Sequence, residues 1–64
     1  MKLLEFVKNY TKNVDVIISI KSNEYYYVKD TAVKDIKLND VVDLLNLSVF
    51  SIYTENSTLV IELA

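Results

Sequence analysis

The chain has 64 residues with nine acidic and seven basic side chains, a formal net charge of −2, and no histidine, cysteine, glycine or proline. Without thiols or imidazoles there is no disulfide, no thiolate or imidazole base, and no cysteine or histidine metal ligand, so no cofactor or metal is expected. All seven bases are lysine, which argues against a nucleic-acid module built on an arginine-bearing basic stripe, and the acids are too sparse for a dense acidic mimic of DNA.

This length allows one domain, residues 1–64. A domain this small buries only about 60% of the surface its unfolded chain exposes and is marginal alone. A hydrophobic content of 52% is high for such a chain. With no sulfur bridge or metal to staple it, that excess leads us to expect a homo-oligomer or an obligate protein partner. No apolar run approaches the roughly 18 residues that span a membrane, and the N-terminal residues lack a signal-peptide pattern. We therefore expect a soluble, cytoplasmic protein with no membrane partner.

Leu3, Phe6, Val7 and Tyr10 recur at helical spacing, which predicts an amphipathic helix whose stripe lies on a sheet. Thr11-Lys12-Asn13 should end it, because Asn13 tolerates the left-handed conformation. Val14, Val16, Ile18 and Ile20 alternate with other residues and predict a strand. Lys21-Ser22-Asn23 reads as a turn, and Glu24 to Lys29 as the returning strand. Residues 31–36 read either as an extension of that strand or as a loop carrying Val33 and Ile36 to the core. Asn39 is a reasonable helix N-cap ahead of Val41, Val42, Leu44 and Leu45, with Asn46 as an αL stop.

Residues 47–63 read as a hairpin around Thr54-Glu55-Asn56-Ser57. Phe50 and Ile52 should share one face of its first strand, and Leu59, Ile61 and Leu63 one face of its second. Ile52 opposite Ile61, or opposite Leu59, brings both sets to one side, and a one-residue slip would put one set into water. The predicted fold is α+β: a mostly antiparallel four-stranded sheet of two hairpins with one N-terminal helix packed on it and a short second helix, in the order α-β-β-α-β-β.

Catalysis is poorly equipped. The acids are scattered, mostly in turns or on outward strand positions, and the chain leaves little room for a substrate pocket. Asp35, Asp40 and Asp43 are near enough in sequence to share a divalent cation, but solvation and dipole complementation of a short helix account for Asp40 and Asp43 more simply. No enzyme is expected.

The unusual local feature is Tyr25-Tyr26-Tyr27. On a regular strand Tyr25 and Tyr27 point one way, and Tyr26 points the other way with Val28. At least one tyrosine must then lie on the face away from the core, where large rigid area and a hydroxyl suit an interface. Tyr53, alternating with Ile52 and sharing parity with Val49 and Val60, should add to that outer patch. The candidate interface is therefore Tyr25, Tyr26, Tyr27, Val49, Tyr53 and Val60. Ordinary cross-strand packing competes with this reading, as does stacking on single-stranded nucleic acid. With only Lys21 and Lys29 nearby, nucleic acid is the weaker partner.

Met1-Lys2-Leu3-Leu4-Glu5-Phe6-Val7, Val14-Asp15-Val16-Ile17-Ile18, Val33-Lys34-Asp35-Ile36, Asp43-Leu44-Leu45, Val49-Phe50-Ser51-Ile52-Tyr53 and Asn56-Ser57-Thr58-Leu59-Val60-Ile61-Glu62-Leu63 together make a pattern covering most of the chain. It resembles small proteins encoded by phages and mobile elements of low-GC Gram-positive bacteria. That resemblance implies a bacterial host cytoplasm. It also implies action by binding a host or phage protein, in a pool that includes anti-CRISPR inhibitors of host defence. The alternative expectation is a structural homo-oligomer or phage assembly component.

Overall fold

Residues 1–10 and 15–64 are described by a computed structural model. Its elements are α1 (Leu3–Tyr10), β1 (Ile17–Ser22), β2 (Tyr25–Ala32), α2 (Leu38–Val41), β3 (Val49–Glu55) and β4 (Thr58–Leu63). Short 3-10 turns, Val33–Asp35 and Val42–Leu44, flank α2. The expected α+β class and both hairpins are present, but the sheet is mixed. Its strand order is β2-β1-β4-β3, and the two hairpins join through parallel pairing of β1 with β4.

Two of the three pairings are antiparallel, as expected of a mostly antiparallel sheet; the parallel seam was not expected, and it has a physical reason. Turn chemistry dictates which strands pair as hairpins, but how two hairpins meet depends on which strands need burial on both sides. Ile17-Ile18-Ser19-Ile20 and Leu59-Val60-Ile61 are the near-continuous apolar runs, and such runs belong at the centre of a sheet. There Ile18, Ser19, Ile20, Val60 and Ile61 are all buried, on alternating faces.

One face carries the core: Leu3 and Phe6 of α1, Ile18 and Ile20 of β1, Ile61 and Leu63 of β4, and Val41 and Leu44 from the connection between hairpins. Val7 packs against this cluster, so three of the four stripe residues lie where the helical period puts them. The expected helix stop at Thr11-Lys12-Asn13, and Val14, lie outside the described residues.

The connection differs from the single short helix expected. Three successive short helical pieces replace it, and this changes the helical order of the fold. Lys37, not Asn39, stands at the start of α2, and it makes no side-chain cap. Asn46 is not αL either; among the described residues positive φ occurs at Asn23, Asp30, Asn56 and Ser57. Val33, Ile36, Leu45 and Leu47 ride on the core. Packing of these scattered apolar groups, rather than capping, therefore decides the path of this segment.

The N-terminal residues are fastened by backbone. Leu3 and Leu4 N–H, orphan donors at the start of α1, donate to the carbonyls of Leu47 and Leu45 at 3.0 Å. Val49 N–H donates to the Met1 carbonyl at 2.7 Å, and Lys2 forms an antiparallel bridge with Ser48. Residues 1–3 therefore cover the outer edge of the chain just where β3 begins.

The β3–β4 register sets Ile52 opposite Ile61, the first of the two expected registers, and closes with Glu55 opposite Thr58. The turn is Asn56-Ser57, with φ of 51° and 66°. Positive φ at both central positions is the type I′ pattern that matches strand twist. Serine in the left-handed region costs about 1–2 kcal/mol, while glycine's extra freedom in the unfolded chain returns only about 0.5–1 kcal/mol of that. Ser57→Gly should thus stabilise the fold by about 0.5–1 kcal/mol in a thermal melt, and an unchanged or lowered Tm would contradict this account of the turn.

Candidate binding surface

Four strands give the sheet two faces, and only one carries the core. On the other face β1 presents Ser19 and Lys21, and β4 presents Thr58, Val60 and Glu62. Tyr26, opposite Lys21, and Tyr53, opposite Val60, flank them from the edge strands. Three strand spacings separate the two tyrosines, about 14 Å.

Asp30 organises the middle of this face. Its backbone has a φ of 47°. Its amide donates to Ser19 Oγ at 2.9 Å, and its Oδ1 accepts from Thr58 Oγ1 at 3.2 Å and from Ser19 Oγ at 3.5 Å. Ser19 is only 2% exposed, so these bonds satisfy a hydroxyl that would otherwise be stranded between strands. The geometry requires an extra residue in β2. Ile18 pairs with Thr31 and Ile20 with Val28, so three steps along β2 match two along β1. Aspartate is among the few residues that tolerate the αL conformation this bulge demands.

Beside Asp30 lies an open hollow of about 390 Å³, lined among others by Tyr26, Lys29, Glu55 and Asn56. The Tyr26 ring has Lys21 Nζ 5.1 Å and Lys29 Nζ 5.0 Å from its centroid. Such cation–π contacts hold the ring and both ammonium groups in place. The hollow carries charges of both signs, Lys29 together with Asp30 and Glu55.

The six residues picked from sequence are divided by the fold. Tyr26, Tyr53 and Val60 share the face away from the core. Val60, however, is 4% exposed and forms the floor on which the others stand. Val49 pairs with Leu63 and packs against the core cluster, so it is not part of the patch. Tyr25 and Tyr27 form an edge-to-face pair, 4.9 Å between centroids, at the edge of β2. They line a second hollow of about 420 Å³ with Asp35, Ile36 and Asp40 of the connection between hairpins.

Tyr25 and Tyr27 part from Tyr26 by ordinary alternation, and two bulges explain the other departures. Lys21 pairs with Tyr26 while Ile20 pairs with Val28, which makes Tyr27 an extra residue and puts Tyr26 and Val28 on opposite faces, not the same one. In β3 the register shifts between Val49 and Ser51, so Phe50 is the extra residue there. Val49 takes the core position expected for Phe50, and Phe50 is left 73% exposed. Ser19, Asp30 and Thr58 are the members of this surface that residue patterning missed. The one signal available was Asp30 itself, an αL-tolerant residue of low strand propensity inside β2.

No three Asp or Glu residues approach closely enough to hold a metal ion among the described residues, and no described helix is long and apolar enough to cross a membrane. No family model matches the chain, and neither a curated protein nor a solved structure matches it.

Proposed function

We propose that this chain is a non-catalytic protein-binding module that engages its partner with the sheet face bearing Tyr26 and Tyr53. The observation that carries the reading is Tyr26 held between Lys21 and Lys29 beside the hollow floored by Ser19, Thr58 and Val60. An aromatic anchor pre-positioned next to groups of both charges supports protein recognition, because little side-chain entropy remains to be lost on docking. The resemblance to small phage and mobile-element proteins extends the proposal to its biology: occlusion of a host or phage protein, with inhibition of a defence system such as CRISPR as the specific form.

Tyr26→Ala should weaken partner binding by about 2 kcal/mol or more, a loss of roughly thirtyfold, and Tyr53→Ala by less, with circular dichroism unchanged for both. The measurement is titration calorimetry against the partner recovered from the native host. Loss of fold in both variants would make these rings core groups and end the interface reading. A homo-oligomer is the second reading, and the free edge of β3 is the observation that favours it.

A further inference from the structure

The two edge strands of the sheet are defended very differently. Along β2 the edge is broken by two bulges, by the left-handed Asp30 and by the charge of Lys29, all devices that discourage another strand from adding. β3 carries a single bulge, at Phe50 beside its start, and from Phe50 to Thr54 it has no charged residue and exposes Phe50, Ile52 and Tyr53. Its outer backbone groups follow from the hairpin. A two-residue turn is closed by a hydrogen-bonded pair, here Glu55 with Thr58, so Tyr53 and Val60 form the next such pair. The N–H and C=O of Ile52 and Thr54 then point away from the sheet.

We propose that β3 pairs antiparallel with β3 of a second copy of this chain, about a two-fold axis at Tyr53, to give a closed dimer with a continuous eight-stranded sheet. In that register Ile52 faces Thr54 of the second copy, and Thr54 faces its Ile52. Each pair exchanges two backbone hydrogen bonds, which uses every outward group of these residues. Tyr53 meets its own mate across the axis, where side chains approach most closely. The two-fold is perpendicular to the sheet, so both uncovered faces lie on one side.

The occupant is a second copy because the edge has a stop in it. Residues 1–3 occupy the outer edge at Ser48 and Val49. A long foreign strand would run into them. A copy of β3 does not, since its chain turns back at Asn56-Ser57. Charge agrees with this placement. Glu55, the lone charge of β3, falls opposite Ser51 of the other copy and away from its own mate. It lies about three residues, about 10 Å, along the strand direction from the level of Lys2, within reach of both long side chains.

Sedimentation velocity on the wild-type chain across a dilution series should show a dimer that dissociates to monomer. A monomer at every concentration, or species growing beyond the dimer, would overturn the proposal. Thr54→Lys puts a charge against Ile52 of the other copy and should raise the dissociation constant at least about tenfold. Tyr25→Lys, on the defended edge, should leave it unchanged, and the reverse outcome would also overturn the proposal. If Thr54→Lys does not fold, amide exchange in the wild type decides. Ile52 and Thr54 amides should exchange more slowly as concentration rises, and concentration-independent exchange there removes the dimer. The dimer shares Tyr53 with the partner reading, so Tyr26, on the opposite edge strand, separates the two: Tyr26→Ala should weaken partner binding and leave the dimer unchanged.

Discussion

Ile61→Ala should cost about 2–5 kcal/mol and leave much of the chain unfolded at 37 °C. Ile61 is fully buried in β4, paired with Ile20 on one side and Ile52 on the other. Truncating it opens a cavity where both hairpins and α1 converge. A chain of 64 residues has a total stability of only about 3–10 kcal/mol, so a loss in this range decides whether it folds. Urea denaturation followed by circular dichroism gives the number. Ile61→Val should cost about 0.5–1.5 kcal/mol, and Phe50→Ala, removing an exposed ring, within about 0.5 kcal/mol. If Ile61→Ala cost no more than Phe50→Ala, the core would not lie where this fold puts it.

Asp30→Ala should destabilise by about 2–3 kcal/mol, although Asp30 is exposed and has no ion pair among those described. Two effects combine. Alanine held in the left-handed region costs about 1–2 kcal/mol, and the hydroxyls of Thr58 and Ser19 lose their acceptor at about 1 kcal/mol for a typical bond. Substitutions separate the two. Asp30→Asn keeps an oxygen acceptor and tolerates αL, so it should be nearly neutral. Asp30→Gly relieves the backbone but abandons the hydroxyls, so it should fall between asparagine and alanine. Equal losses for all three would mean that neither the backbone conformation nor the hydrogen bonds at Asp30 matter to the fold.

Periodicity made the α1 stripe and the C-terminal hairpin legible, because both signals are local. Leu3 and Phe6 are buried, and Ile52 meets Ile61 in an expected register, although Ile52 itself stays exposed at the edge of the sheet. Parity failed where a strand carries an extra residue. Tyr27 and Phe50 each shift the alternation by one, and a bulge leaves no mark in a two-residue repeat. Val49 went to the core for that reason, whereas Tyr25 and Tyr27 part from Tyr26 by the ordinary alternation of a strand and line a separate hollow. The parallel seam was illegible for a different reason. It joins residues distant in sequence, and nothing in Ile17–Ser22 says whether the strand beside it runs up or down. The connection between hairpins resisted reading because its helical pieces are too short for a period, so its course follows the core beneath it.

That seam also bears on how fast the protein reaches its native state. Either hairpin closes locally within about 1–10 μs, yet each is a two-stranded ribbon and marginal by itself. The step that commits the chain is Ile18 finding Leu59, roughly forty residues apart, with the loop-closure entropy spent before any burial rewards it. Assembly should therefore be slow for so short a polypeptide, with two preformed halves waiting to collide. Substitutions in the seam should retard refolding, while those in either turn should mainly alter the rate of unravelling.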